Sequence, residues 1–269
     1  MLGRWLDRVR ERRPRIHCIT NYVTANDCAN ILLACGGSPI MADDAGEVEE
    51  IAALCGGLVL NIGTLDARTV PAMLAAGRRS NALGHPVVLD PVGAGASALR
   101  TGTALELLEQ VRFSVIRGNI SEIRALALGG GSTQGVDADA DDAVRPDTLD
   151  EAVHFVQDFA RRTGAAVAVT GAVDIVADGE KAYCIYNGHP MMSRVTGTGC
   201  QLSALTAVFA AAAPGHVLEA AASAVCAMGV CGELAHERMG ELDGNAAYRS
   251  HIIDAVYRLD GETLDRICA

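Results

Sequence analysis

Residues Pro86-Val87-Val88-Leu89-Asp90-Pro91-Val92-Gly93-Ala94-Gly95 decide the fold. An aliphatic run of strand length stops at a carboxylate, and a glycine-rich segment follows at once. A strand that is apolar at successive positions has both faces covered, which is the property of parallel sheets flanked by helices. Ser38-Pro39-Ile40-Met41, Leu58-Val59-Leu60-Asn61-Ile62-Gly63 and Phe113-Ser114-Val115-Ile116-Arg117-Gly118 repeat the pattern, and Ala166-Val167-Ala168-Val169 is apolar throughout. Between such runs, Thr64 to Ser80 and Thr101 to Val111 carry apolar residues at helical spacing. This alternation predicts βαβ units in an α/β fold with a mostly parallel sheet, and ligand sites at the carboxyl ends of its strands. Val173 to Ala177 and Ala182 to Tyr186, separated by Asp178-Gly179, predict a hairpin and hence an antiparallel edge. From Cys200 almost to the end the pattern is helical. No linker interrupts it, so residues 1–269 are expected to form a single domain.

Composition narrows the classes of function. The chain has 269 residues, 50% of them hydrophobic, enough for a large core. A net charge of -11 lacks the electrostatic footprint of a nucleic-acid binder. The most apolar region, Leu202 to Cys231, is interrupted by Pro214-Gly215-His216 and Glu219, and no membrane span is expected there. Its alanines suit tightly packed helices, and its low charge suits packing against a neighbouring subunit. Arg4 to Arg12 has mixed charge and reads as a short surface helix rather than a signal peptide. Nine cysteines without a Cys-x-x-Cys pair read as reduced thiols of a cytoplasmic protein. The acidic segment Asp137 to Asp142 begins like a calcium loop, but Asp142 stands where glycine is needed and Thr148 where glutamate is needed. It reads as a solvated loop.

The strand ends collect the chemistry. Asp90 and Glu122 are hard oxygen donors suited to Mg²⁺ beside phosphates, and Arg117 offers a forked cationic clamp. The alternative is structural: both carboxylates cap helices, and Arg117 pairs with one of them. Thr170 places a hydroxyl at the end of another strand. Val195-Thr196-Gly197-Thr198-Gly199-Cys200 leads into an alanine-rich helix, whose first N–H groups and positive dipole end make an anion hole. The glycines are expected to free the backbone, and the helix start to lower the Cys200 thiol pKa. A cysteine nucleophile would need a histidine base, and His17, His85, His189, His216 and His251 are the candidates. Met41 is either core filling or part of a pocket.

Taken in order, His17-Cys18-Ile19-Thr20-Asn21, Ser38-Pro39-Ile40-Met41-Ala42, Val59-Leu60-Asn61-Ile62-Gly63-Thr64, the Asp90 block, Arg117-Gly118-Asn119 and Val195 to Cys200 resemble the hydroxyethylthiazole kinase family, from about residue 15 to about residue 235. The resemblance implies a ribokinase-like three-layer α/β/α fold. It implies transfer of the ATP γ-phosphate to the primary alcohol of 4-methyl-5-(2-hydroxyethyl)thiazole, a thiamine salvage step. By position, Arg117 and Thr170 would contact the nucleotide, Asp90 and Glu122 would lie in the magnesium region, and Met41, Gly197 and Asn21 would form the thiazole pocket. Cys200, with Gly197 and Gly199, would lie at the reacting hydroxyl. A homotrimer with active sites between subunits is also implied.

Overall fold

The computed structural model describes residues 1–129 and 148–268. The acidic segment Asp137 to Asp142 therefore lies outside the described residues. In chain order the elements are α1 (Gly3–Arg12), β1 (Arg15–Ile19), α2 (Ala25–Cys35), β2 (Ser38–Met41), α3 (Val48–Leu54), β3 (Gly57–Asn61), α4 (Thr69–Ala82), β4 (Val87–Asp90), α5 (Ala98–Gln110), β5 (Val115–Asn119) and α6 (Ile120–Ala127). They continue with α7 (Leu149–Thr163), β6 (Ala166–Thr170), β7 (Asp174–Ala177), β8 (Ala182–Ile185), a 3₁₀ turn (Pro190–Arg194), α8 (Thr198–Ala212), α9 (Val217–Glu237), α10 (Asn245–Arg258) and α11 (Gly261–Ile267).

One sheet runs in the order β2-β1-β3-β4-β5-β6-β7-β8. The pairs from β2 to β6 are parallel, and β7 and β8 add the antiparallel edge expected from the sequence. Successive strand residues face opposite sides: Leu58, Leu60, Val87 and Leu89 join one core, whereas Val59 and Val88 join the other. The first core is closed by α4, α5, α6 and α7, the second by α1, α2, α8, α9 and α10. Continuous apolar runs are thus the mark of a sheet covered twice. The strand order reverses at β1, beside which β2 and β3 both pair, and such a switch point opens a crevice at the carboxyl ends.

Four readings need correction. The hairpin tip is Gly179-Glu180 rather than Asp178-Gly179: Asp178 N–H donates to the Lys181 carbonyl at 3.0 Å, and Asp178 Oδ1 accepts from the Glu180 and Lys181 amides. The N-terminal helix is not purely a surface element, because Trp5, Leu6 and Val9 are buried in the second core. Cys226 and Cys268, 42 residues apart in sequence, are joined in a disulfide, so the thiols are not all free. Finally, α9 is long and apolar enough by composition to cross a bilayer, so Pro214 and Glu219 do not settle that question; its burial does. The alanine-rich surfaces of α8 and α9 pack on the sheet and on each other and leave little for a neighbouring subunit.

Candidate active site

Alanine-rich sequence makes α8 a strong helix, and Gln201 to Ala210 are all buried. The helix packs on β1, β3 and β4, which brings its N-terminus to their carboxyl ends. Gly197 is its N-cap in the left-handed region at φ 87°, where a Cβ would also come within 2.5 Å of Thr24 Cγ2. Gly199 has a different reason. Its φ is not positive, and a Cβ there would sit 2.5 Å from a guanidinium nitrogen of Arg117. The expectation that both glycines relax the backbone holds for Gly197 alone, and Gly199 makes room for the arginine.

Arg117 lies between two strand ends and the helix start. It donates to Thr170 Oγ1 at 2.7 Å, and its other terminal nitrogen is 3.7 Å from Asp90 Oδ1. Asp90 is fully buried. Its Oδ2 accepts from Asn61 Nδ2 at 2.7 Å and from Ser203 Oγ at 2.8 Å, while Oδ1 has no hydrogen-bond partner. Burial pushes the Asp90 carboxyl above the usual range, against the pull of Arg117, Ser203 and Asn61.

Glu122 is used differently. Asn119 and Glu122 form a capping box at the start of α6, with Asn119 Oδ1 accepting from Glu122 N–H and Glu122 Oε2 accepting from Asn119 N–H, both at 2.8 Å. Glu122 Oε1 accepts from Gly93 N–H at 2.7 Å and so clamps the glycine-rich loop after β4, where Gly93 has φ 74°. Burial, then the charge of Asp90, raises the Glu122 carboxyl to about 7. The capping alternative is therefore observed for Glu122, and the pairing alternative for Arg117 with Asp90.

Cys200 Sγ accepts from two carboxamides, Asn21 Nδ2 and Asn61 Nδ2, each at 3.2 Å. Its hydrogen-bond partners include no histidine; His17 bonds the Ala42 carbonyl and His189 accepts from Met191 N–H. The thiol pKa is raised, first by burial and then by Asp90, with Thr24, Asn21 and Asn61 opposing. This corrects the expectation of a lowered value: burial and the Asp90 charge outweigh the hydrogen bonds that oppose them. Asn21, Asp90, Arg117, Thr170, Gly197, Gly199 and Cys200 thus come together, and Glu122 adjoins them. Met41, 40% exposed, ends the edge strand β2 opposite Cys18 of β1.

Sequence reading gave no role to Asn61 or Ser203. Parallel pairing aligns Asn61 with Asp90, and Ser203 lies one helical turn after Cys200 on the same face, so register and helical period were the available signals.

The sheet order, its two helical layers and the crevice at the switch point define a ribokinase-like α/β kinase fold. An Enterococcus faecalis ribokinase-like superfamily protein shares it at TM-score 0.62 and 11% identity, with 93% of each chain covered. The hydroxyethylthiazole kinase family model matches residues 6–262, and the chain belongs to that family. It is 60% identical to the hydroxyethylthiazole kinase of Clostridium acetobutylicum, over 98% of this chain and 97% of that one. It is 52% identical to that of Desulfovibrio desulfuricans, over 96% and 94%. The solved hydroxyethylthiazole kinase structure from Pyrococcus horikoshii OT3 superposes at TM-score 0.88 with 39% identity, over 100% of this chain and 97% of the other.

Proposed function

We propose that the chain, as one kinase domain, transfers the γ-phosphoryl group of ATP to the primary alcohol of 4-methyl-5-(2-hydroxyethyl)thiazole. The observation that carries the site assignment is the convergence of the α8 N-terminus, Arg117 and Asp90 on one point at the strand ends. Phosphoryl transfer passes through a loose transition state, so positioning and neutralisation of charge matter more than a strong base. The first N–H groups of α8 and the Arg117 guanidinium take up the charge of the moving phosphoryl group, and Thr170 holds that guanidinium in place. Asn21 and the backbone at Gly197 border the acceptor alcohol. Cys200, with its raised pKa, meets the hydroxyl as a neutral thiol. It is not an attacking thiolate.

Mg²⁺ fits Asp90, whose Oδ1 is buried without a hydrogen-bond partner. It fits Glu122 less directly, since both of that residue's oxygens already accept from backbone. When bound, the ion would neutralise nucleotide phosphates. Glu122, which holds the Gly93 loop, would support the ion from beside Asp90.

Met41 completes a thiazole pocket between subunits of a homotrimer. Tyr22, Val23 and Leu33, all exposed in or just before α2, which packs on β2, offer apolar surface to a neighbour together with Met41. Light scattering at trimer mass supports this arrangement, and a stable active monomer refutes it. A cytoplasmic setting supplies the ATP. The reaction is tested by Mg²⁺-dependent ADP release on addition of the thiazole alcohol. Release that ignores the alcohol, or none with it, sinks the reading.

A further inference from the structure

Asn61 ends β3 with 1% exposure. Its Nδ2 donates to Asp90 Oδ2 at 2.7 Å and to Cys200 Sγ at 3.2 Å. Its Oδ1 accepts from Asn21 Nδ2 at 3.0 Å and from Gly63 N–H at 2.9 Å. A carboxamide has two donor hydrogens and an oxygen with two lone pairs. All four are used, so turning the amide would break every contact at once. Asn21 is fixed in the same way, since its Oδ1 accepts from the Thr24 amide and hydroxyl at 3.1 and 3.0 Å. The backbone supports the pair: a Cβ on Gly63 would come within 2.9 Å of Asn21 Nδ2 and of Asn61 Oδ1.

From this geometry we infer that Asn61 is a positioning residue for phosphoryl transfer, setting the Cys200 sulfur and the Asp90 carboxylate at a fixed separation and direction. The inference rests on the reading that Cys200 borders the acceptor hydroxyl. Asn61 itself touches neither substrate. Other side chains do not meet the geometry: Asp would present oxygen to both the sulfur and the Asp90 carboxylate, Gln is one methylene too long, and Ser offers a single donor hydrogen. With two amide hydrogens on the sulfur, the thiol hydrogen is directed away from the carboxamides. Misplacement by about 1 Å costs on the order of 10²-fold in rate when a reacting geometry is involved, so the expected effect falls on turnover rather than on binding.

The test is a double-mutant cycle with thermal denaturation as the control for folding. Asn61→Leu keeps the number and branching of the side-chain heavy atoms and removes both donors. It is expected to lower kcat about 10- to 100-fold, with KM for ATP and for the alcohol changed less than about threefold. In a Cys200→Ala background the same substitution is expected to cost several-fold less, because the two residues act through one contact. Gly63→Ala, which pushes on both carboxamides from behind, is expected to give a smaller loss of the same kind. Losses that multiply in the double variant, or a raised KM at unchanged kcat, would overturn the inference. Where Asn61→Leu does not fold, Asn61→Ser decides by the same cycle. Full activity of Cys200→Ala alone would instead defeat the reading of Cys200, and the two failures are thereby told apart.

Discussion

The end of β4 and the junction of β5 with α6 each carry a buried carboxylate, Asp90 in the first and Glu122 in the second, and sequence pattern treats them alike. Their surroundings do not. Glu122 spends both oxygens on backbone N–H groups of its own helix start and of the Gly93 loop. Asp90 is held on one oxygen by the side chains of Asn61 and Ser203 and presents the other to Arg117 without a hydrogen bond. A carboxylate whose acceptors are taken by backbone fixes the chain's path. One that keeps a free acceptor in a buried setting has a desolvation cost that only a cation or substrate relieves.

The widest separation between the two regions is expected from removing charge at Asp90. Asp90→Asn keeps an oxygen for Asn61 and Ser203 but loses the charge beside Arg117. Its kcat should fall at least about 10²–10³-fold, the loss typical of one electrostatic group in a transition state. Thermal stability should stay close to that of the wild type, because relief of a buried charge at Asp90 is offset by leaving Arg117 without its partner. An active Asp90→Asn enzyme, or one that is inactive because it unfolds, erases the contrast with Glu122.

Cys200 sharpens the Asp90 side. Cys200→Ala should reduce kcat by no more than about 10²-fold, the scale of a lost positioning contact rather than of a lost nucleophile. Cys200→Asp, whose carboxylate can accept the same amide hydrogens from Asn21 and Asn61, should keep more activity than Cys200→Ala. A complete loss in Cys200→Ala, with a trapped covalent adduct in the wild type, would restore the nucleophile that the raised thiol pKa argues against.

The fold was legible because its signals are local. An apolar run such as Val87 to Leu89 records burial on both faces, and the same residues alternate between the two cores. Residues Asp90, Arg117, Thr170 and Cys200 were legible because each stands where an element ends or begins. Asn61 and Ser203 were not, since their importance lies in partners 29 and 113 residues away. Gly199 was identified for the wrong reason: backbone freedom can be read from a glycine, whereas the guanidinium that needs the space comes from β5. Thiol acidity at Cys200 was misread because helix position is visible in sequence and depth of burial is not.

The smallest expected effect concerns the pH dependence of stability, and it tests the Glu122 side. Its carboxyl is raised from 4.5 to about 7, first by burial and then by Asp90. Between those values the native state binds a proton that the unfolded chain has released. Stability from this group therefore falls as pH rises from about 4.5 to 7 and is flat above that. Its steepest slope is about 1.4 kcal/mol per pH unit. Asp174, raised to about 6 by burial, adds a contribution of the same sign over a lower window. Glu122→Gln abolishes the titration but supplies one acceptor oxygen for two backbone N–H groups, so it should be less stable than wild type at pH 5. As the wild type loses stability toward pH 7.5, the gap between the two melting temperatures should narrow. A gap that widens with pH would mean that ionised Glu122 stabilises the fold. The capping box and the Gly93 contact would then outweigh burial, and the difference drawn between the two carboxylates would rest on hydrogen bonding alone.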